Sequence, residues 1–343
     1  MKKVTNLISI NLILTLFFIL IFEFVLGHWF KEDHFGYHMR GKRLQKVNYF
    51  VNYDNIKKDW VYRRDYYGFR EDFDFKNKYD LKKIKVVFTG GSTGDEMVLP
   101  YKETIVGNLN KFLIDDNLNI KIFNASLSGK SLTGNINDFE VWFNKLKGFN
   151  PEIMIFYLGL NDRIISKNKW HDNNYAISKK DYIISSISQK SFFWELLKKI
   201  KDSYFTTKRD GHQIYHKVEF DEKFVSYAKA KKIYKDVTHE EREVLSNYKN
   251  KLEKLKDILT KKKITPVFIT QIKYNGNGER ILFYLNEEIK KFSLVNNYSY
   301  IALDELLDAP INQLFIDNVH TNKEGSNFIA KKIYPSLRKL LTK

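Results

Sequence analysis

The stretch IKVVFTGGSTG at residues 84–94 joins a run of apolar, β-branched residues to three glycines that surround one serine. Such a run predicts a buried strand, and the glycines mark the turn that ends it. A plain turn needs only one or two glycines, so three indicate a backbone that must come close to another group. The turn is therefore either a flexible connection to a helix or the place where Ser92 is presented at the end of a strand.

Strand-like and helix-like patterns alternate along the rest of the chain. Alternation of this kind, with continuously apolar strands, predicts a parallel sheet covered by helices on both faces. We therefore expect a three-layer α/β/α sandwich around a five-stranded, mainly parallel sheet. The predicted strands lie at 84–89, 120–124, 153–158, 265–270 and 298–303, and the predicted helices at 104–115, 136–149, 240–262, 278–292 and 323–341, the last kinked or broken at Pro335.

The N-terminal segment is strongly apolar. No residue from Val4 to Phe22 is charged, and residues 7–26 provide about the 20 apolar positions that a membrane-spanning helix needs. A secretory signal peptide usually has a shorter apolar region and a small-residue cleavage site, for which Gly27 is a weak candidate. We therefore predict a single-pass, uncleaved transmembrane anchor over residues 1–30.

The anchor divides the chain into three predicted parts. Residues 31–83, which are polar, aromatic and basic, are expected to form a stalk or a cap, and residues 84–343 form the main domain with an insertion at about 165–238. Two lysines precede the anchor and four basic residues follow it (Lys31, Arg40, Lys42 and Arg43), so the positive-inside rule, counted strictly, favours a cytoplasmic main domain. Because long domains translocate largely regardless of flanking charge, we expect the main domain to be extracytoplasmic.

Composition excludes several classes of function. The chain contains no cysteine, which excludes a disulfide framework and a thiolate metal site. Its formal charge of +17 is spread along the chain; a lysine-rich soluble surface explains this best, with attraction to anionic lipid or an acidic polymer as the alternative. No nucleic-acid-binding motif is present, so no nucleic-acid partner is expected. We expect no cofactor and no metal.

Polar residues follow the predicted strands at the points where a parallel sheet binds ligands, beyond the carboxyl ends of its strands. Ser92 follows the first strand, and NASLSG ends with Gly129 after the second. LGLND places Asn161 after the third strand. FIDNVH carries Asp317 and His320 between the fifth strand and the last helix.

These residue types are the ones that ester hydrolysis requires, namely a nucleophile, a base, a group that orients the base, and donors for the oxyanion. Ser92 can act as the nucleophile and His320 as the base, with Asp317 three residues earlier to fix the imidazole tautomer. The backbone N–H groups of Ser92 and Gly129 and the side-chain amide of Asn161 can stabilise the oxyanion.

Each motif alone has an ordinary structural explanation. A serine after glycine is usually a turn residue, and Gly129 can also be one. Asn161 and Asp162 can cap a following helix, and Asp-x-x-His can be a surface loop. Four weak motifs in this order, each at a predicted strand end, favour the catalytic interpretation.

Taken together, the four motifs resemble the SGNH/GDSL hydrolase family from about residue 84 to 335. GGSTG is similar to the first block of that family, NASLSG to the second, GLND to the third and DNVHTNKEG to the fifth. DYYGFRED at 65–72 resembles a stretch upstream of the first block in membrane-anchored members. The resemblance implies a flavodoxin-like sheet and an acyl-enzyme mechanism, with the residue roles given above.

The sequence departs from the family in two places. Gly91 stands where the first block usually has aspartate, and Asp95 is a candidate to replace that carboxylate. The insertion at 165–238 has no counterpart in compact members and is interpreted as a lid, a partner surface or part of an acyl pocket. Its pocket candidates, for which packing against the domain is the favoured explanation, are Trp170, His171, Phe192, Phe193 and Trp194.

The resulting prediction is a membrane-anchored serine esterase that hydrolyses O-acetyl or short acyl esters, with an acetylated envelope glycan or lipid as the substrate. Two alternatives stay open. An O-acyltransferase would use the same triad and pass the acyl group to a sugar hydroxyl, because the two reactions differ only in water exclusion and acceptor binding. A non-catalytic envelope protein would keep the fold and use it for binding.

Overall fold

The computed structural model describes residues 2–30, 46–53, 56–71, 78–163, 172, 178–197, 200, 223–307 and 309–342. The chain divides into two compact units. One unit comprises Met1–Arg40 and Tyr175–His212, and the other comprises Gly41–Asn174 and Gln213–Lys343. The second unit contains the sheet and all of the predicted site residues.

The sheet has five strands, and each pairs with its neighbour in parallel. Their order across the sheet is β4-β3-β5-β6-β7, which is the flavodoxin-like arrangement. Two further strands, β1 and β2, form an antiparallel hairpin. The strands are β1 (Lys46–Tyr53), β2 (Ile56–Arg63), β3 (Val86–Gly90), β4 (Ile122–Asn124), β5 (Ile153–Tyr157), β6 (Thr265–Ile269) and β7 (Ser299–Ile301). The predicted five-stranded parallel sheet is confirmed.

The helices in the described part of the chain are α1 (Lys2–Leu26), α2 (Ser92–Asp95), α3 (Ile105–Asp115), α4 (Leu132–Val141), α5 (Lys179–Lys190), α6 (Tyr227–Ile233), α7 (His239–Lys262), α8 (Arg280–Val295) and α9 (Lys323–Leu341). Residues 192–197 are also helical. The helix predicted over 136–149 begins earlier in the structure, at Leu132, and ends at Val141. It begins earlier because the Ser131 side chain caps α4 by accepting the N–H of Thr133. Pro335 lies inside α9, which continues to Leu341 rather than ending there.

Helices cover both faces of the sheet. Side chains alternate along each strand, so Phe88 and Ile155 face one side and Phe156 faces the other. On the first side, Phe88 and Ile155 share a core with residues of α3 and α9. On the second side, Phe156 stacks on Phe268 with ring centres 5.4 Å apart, and Phe268 contacts Phe292 of α8. The predicted three-layer architecture is therefore confirmed.

The segment before β3 is partly built into the same unit as the sheet. Phe69 is completely buried and packs against Phe123 and Trp142. The backbone N–H of Arg70 donates to the carbonyl of Asn124 at 2.8 Å, which extends the edge of the sheet beyond β4. Residues 62–71 thus contribute to the core, whereas the domain boundaries predicted at 30/31 and 83/84 stay predictions.

Helix α1 contains a 19-residue apolar segment, Ile8–Leu26, that is long and apolar enough to cross a membrane. At about 1.5 Å per residue the segment spans roughly 28 Å, close to the ~30 Å hydrocarbon core of a bilayer. Length and composition alone support this assignment, and a signal sequence has the same properties.

Candidate active site

Ser92 lies at the carboxyl end of β3, in the position that the sequence predicts. Strand β3 ends at Gly90, Gly91 precedes the first turn of α2, and Ser92 is the first residue of that helix. The Ser92 side chain is half-buried. Ser92 is thus held next to a tight turn and is partly exposed as a residue.

Gly91 is required by the close approach of Asn161. A Cβ atom at position 91 would lie 2.5 Å from Nδ2 of Asn161 and 2.9 Å from the carbonyl oxygen of Lys130, closer than side chains pack. A side chain at position 91 would therefore have to displace Asn161 or the backbone of Lys130. The same crowding brings the amide of Asn161 next to the residue that precedes Ser92.

Asn161 is oriented by the loop that contains Gly129. Its Nδ2 atom donates to the carbonyl of Lys130 at 2.8 Å, and a primary amide carries a second N–H that can bind another acceptor. Gly129 has φ +77°, in the left-handed region that favours glycine. The Ser92 turn, the Gly129 loop and Asn161 therefore lie next to one another at the carboxyl ends of the strands.

Asp95 stabilises the Gly129 loop by accepting hydrogen bonds from Ser128. Its Oδ2 accepts the backbone N–H of Ser128 at 3.0 Å and the Ser128 hydroxyl at 2.9 Å. Its Oδ1 accepts from Arg64 Nη2 at 2.8 Å and from the hydroxyl of Tyr62 at 2.9 Å. Arg64 also donates to the carbonyl of Ser126 at 2.6 Å. The Asp95 carboxylate thus binds the loop next to Gly129.

A buried lysine, Lys130, also stabilises this loop. Lys130 Nζ donates to Thr89 Oγ1 at 2.8 Å, to the carbonyl of Ala125 at 2.9 Å and to Asp138 Oδ2 at 2.6 Å. Burial lowers the pKa of Lys130, and the Asp138 carboxylate opposes that shift. This network ties the loop after β4 to β3 and to α4.

Asp317 and His320 form a bonded pair. His320 Nδ1 lies 2.7 Å from Asp317 Oδ2, and Asp317 Oδ1 accepts the backbone N–H groups of Val319 and His320 at 2.9 and 2.7 Å. Burial raises the pKa of Asp317, but these donors and the charge of His320 outweigh burial and hold it below its usual value. The pair can present Nε2 of His320 to a neighbouring hydroxyl.

Glu96 connects the histidine loop to the serine turn. Its Oε1 accepts from the hydroxyl of Thr321, next to His320, at 3.1 Å, and its backbone N–H donates to the carbonyl of Ser92 at 2.8 Å. Its Oε2 accepts the N–H of Ile105 at 2.6 Å. Burial raises the pKa of Glu96 to about 7. Glu96 therefore anchors both loops at a shared point.

In the described part of the chain no hydrogen bond joins the Ser92 hydroxyl to His320. Catalytic hydrogen bonds are often long in proteins without ligand and shorten only when substrate is bound. The same described residues contain no group of three or more His, Cys, Asp or Glu side chains that could hold a metal ion.

Two other polar residues at this edge were not predicted to act here. The Asp162 carboxylate accepts the N–H of Leu132, the first residue of α4, at 3.0 Å, and burial raises the pKa of Asp162 to about 7. Gln271, just after β6, donates to Thr93 Oγ1 at 2.8 Å and accepts the N–H of Leu160 at 2.6 Å. The strand-end rule that selected Ser92 also applies to Gln271.

Three of the pocket candidates of the insertion, Phe192, Phe193 and Trp194, belong to the unit that contains α1. Trp170 and His171 are outside the described residues. Phe193 is described in the unit that contains α1, where its backbone N–H donates to Glu23 Oε2 at 3.1 Å.

The fold and these loops define a flavodoxin-like α/β protein with a polar cluster at the carboxyl edge of its parallel sheet. No protein-family model matches the sequence. No curated protein matches it. Many solved structures match it in fold, and several of them are lipolytic G-D-S-L proteins and esterases.

Three of these structures illustrate the similarity. Esterase EstA from Pseudoalteromonas sp. is 13% identical, with a TM-score of 0.43 over 76% of this chain and 99% of that one. The acetyl xylan esterase AlAXEase is 15% identical, with a TM-score of 0.41 over 74% and 100%. A member of the lipolytic G-D-S-L family from Veillonella parvula is 13% identical, with a TM-score of 0.40 over 74% and 97%.

Proposed function

We propose that this protein is a membrane-anchored serine esterase of the SGNH/GDSL type, with Ser92, His320 and Asp317 as its triad. The observation that carries the proposal is the contact of the Asn161 amide with Gly91 and Lys130, because it gathers the Ser92 turn and the Gly129 loop around one point. The bonded pair of Asp317 and His320 supplies a base whose tautomer is fixed.

The reaction follows from these positions. His320 Nε2 takes the proton of the Ser92 hydroxyl while Oγ attacks the acyl carbon of the ester. The N–H groups of Ser92, Gly129 and Asn161 stabilise the resulting oxyanion. The carbon–oxygen bond to the alcohol then breaks, and His320 returns the proton to the leaving alkoxide. Water, deprotonated by His320, releases the acid from the acyl-enzyme by the same steps.

We infer that the substrate is an acetyl or short acyl ester on an envelope glycan or lipid, with α1 as the membrane anchor and the sheet unit outside the cytoplasm. Ser92 is partly exposed, as a residue that meets a substrate must be, and the apolar segment Ile8–Leu26 is long enough to hold the protein at a membrane.

The test uses the full chain in detergent with p-nitrophenyl acetate as substrate and a fluorophosphonate probe that labels activated serines. We expect turnover and labelling, both lost in Ser92→Ala and His320→Ala. Ser299→Ala, at the amino end of β7 and therefore the opposite edge of the sheet, is the control and should behave as the wild type. Equal turnover in wild type and Ser92→Ala would overturn the esterase proposal.

The same preparation separates hydrolysis from acyl transfer. Oligosaccharide acceptors are added with the ester, and the products are analysed by mass spectrometry. Free acid as the product supports the esterase. Acylated sugar that depends on Ser92 would instead assign the protein as an O-acyltransferase.

A further inference from the structure

The end of α1 is attached to a second helical segment by hydrogen bonds to the carboxylate of Glu23. Glu23 lies in the last turns of the apolar helix, where a carboxylate is costly unless it is paired. Its Oε2 accepts the backbone N–H of Phe193 at 3.1 Å, and its Oε1 accepts Nε1 of Trp29 at 3.0 Å. Glu23 thus binds the start of the helical residues 192–197, where an anion is electrostatically favoured.

His28 provides a second connection between the end of α1 and the same helical segment. The backbone N–H of His28 donates to the carbonyl of Lys190 at 2.7 Å, and His28 Nε2 lies 3.6 Å from Glu195 Oε2. We call residues 178–200 the elbow, because α5 and the helical residues 192–197 join at Ser191, next to these contacts. These contacts attach the elbow to the C-terminal end of α1 and to the residues that follow it.

The elbow has its apolar side outward. Ile183, Ile184 and Ile187 of α5 are exposed, whereas Ser185 is buried. A helix at the surface of a soluble domain buries its apolar stripe and exposes its serines, so α5 shows the reverse arrangement. After Ser191 the exposed residues are again apolar: Trp194, Leu196, Leu197 and Ile200. Leu197 alone is 63% exposed.

The neighbouring features indicate lipid as the partner of this surface. The elbow is hydrogen-bonded to the C-terminal end of α1 through Glu23 and to the residues just after it through His28, and the apolar segment of α1 is long enough to cross a bilayer. Trp29 lies at the junction, and tryptophan is enriched at membrane interfaces. Lys179, Lys180 and Lys190 flank the isoleucines and suit anionic headgroups.

We propose that the elbow is an interfacial membrane-binding element that lies in the surface of the same bilayer that α1 crosses. Its apolar side chains enter the boundary between headgroups and acyl chains to a depth of about 5–10 Å. The inference rests on the proposed anchoring role of α1, which the experiment tests separately.

The absence of native cysteine allows single labels to be placed in the full chain. Ile184→Cys and Leu197→Cys test the elbow, Phe17→Cys tests α1, and Lys254→Cys on α7 is the aqueous control. Each variant carries a nitroxide and is reconstituted in vesicles of phosphatidylcholine and phosphatidylglycerol. Collision rates with oxygen, which concentrates in lipid, and with a water-soluble nickel complex are then measured.

We expect the Phe17→Cys label to lie deep in the bilayer, where it collides often with oxygen and rarely with the nickel complex. The Ile184→Cys and Leu197→Cys labels should be more accessible to oxygen than to nickel at shallow depth, and the Lys254→Cys label should show the opposite preference. Suppose that the Phe17→Cys label is deep in lipid but the elbow labels are accessible to nickel, or inaccessible to both reagents as at a protein contact. The elbow proposal is then wrong, whereas the membrane-anchor proposal is supported. A nickel-accessible Phe17→Cys label overturns both.

A pair of substitutions gives an independent readout. Ile184→Asp combined with Leu197→Asp should move a label at Ile200→Cys from lipid into water, without changing the Phe17→Cys label. Ser186→Asp, on the same helix outside the isoleucine stripe, is the matched control and should leave the Ile200→Cys label in lipid. An unchanged Ile200→Cys label in the double variant contradicts the proposal.

Discussion

Asp317 holds His320 at two points: Oδ2 lies 2.7 Å from the ring Nδ1, and Oδ1 accepts the backbone N–H of His320 at 2.7 Å. The carboxylate therefore fixes both the orientation of the imidazole and the nitrogen that bears its proton. The loop that contains the pair is closed by a backbone bond from Ile316 N–H to the carbonyl of His320 at 2.8 Å.

Asp317→Asn should abolish most of the activity while leaving the fold intact. An amide at this position donates to Nδ1 and forces the proton to Nε2, so the ring can no longer accept the serine proton. In serine proteases this change lowers kcat about 10⁴-fold. Hydrolysis of p-nitrophenyl acetate measures the effect, and Asn318→Ala, at the exposed neighbouring position, is the control. A loss of less than tenfold would remove Asp317 from the triad.

Gly91→Ala should lower activity through Asn161. The added Cβ would lie 2.5 Å from Asn161 Nδ2, so the amide must move away from the position it would need to bind an oxyanion. Loss of one such donor lowers kcat by about 10²–10³-fold, and we expect that range for Gly91→Ala and for Asn161→Ala.

The double variant shows whether the two changes share one cause. Removing the Asn161 side chain relieves the closer of the two contacts, while the contact of the Cβ with the Lys130 carbonyl oxygen at 2.9 Å remains. The combined variant should therefore lose clearly less activity than the product of the two single losses. If the losses multiply instead, Gly91→Ala acts by another route and the contact at position 91 does not position the amide.

The buried ion pair between Arg64 and Asp95 should matter far more for stability than an exposed pair. Both side chains are completely buried, so Arg64→Met leaves a carboxylate without its cation and should cost about 3–5 kcal/mol. Lys85→Met breaks the exposed pair with Glu152 and should cost at most about 1 kcal/mol. Urea denaturation of the full chain in detergent measures both. Similar costs for the two variants would show that Asp95 is stabilised by its other donors alone.

The sheet could be predicted because its signals are local. Each strand is a short apolar run, and the strand-end rule then places Ser92, Gly129, Asn161 and the Asp317–His320 pair at one edge. The predicted strand positions agree with the structure to within about two residues. Helix α4 was less well predicted, because its start depends on caps from Ser131 and Asp162 rather than on periodicity.

The supporting contacts could not be predicted because their partners are far apart in sequence. Arg64 meets Asp95 across 31 positions, and Glu96 meets Thr321 across 225. Nothing in the local pattern around these residues indicates a buried charge, since burial is decided by the packing of the segment 62–71 against the sheet. Asp95 alone was identified as a candidate, from the missing carboxylate at position 91.

Glu96 should make stability depend on pH. Burial raises its pKa from 4.5 to about 7, although the hydrogen bonds from Ser326, Ile105 and Thr321 and the charge of Arg70 act in the opposite direction. The fold therefore favours the protonated carboxyl. Its contribution is complete below pH 4.5 and is lost as the pH rises through 7, when the folded protein must also bury a charge.

Glu96→Gln should remove this dependence. The amide keeps the shape of a protonated carboxyl, accepts the Ile105 N–H, and can donate to the hydroxyls of Thr321 and Ser326. Between pH 5 and 8 the free energy of unfolding of the wild type should fall by roughly 2–3 kcal/mol more than that of Glu96→Gln. Urea denaturation at each pH measures the difference. Asp162, whose pKa is also raised to about 7, titrates in both proteins and cancels in the comparison. Glu243→Gln, at an exposed position on α7, should keep the wild-type slope, and a Glu96→Gln slope equal to it would show that Glu96 is ionised throughout this range in the folded protein.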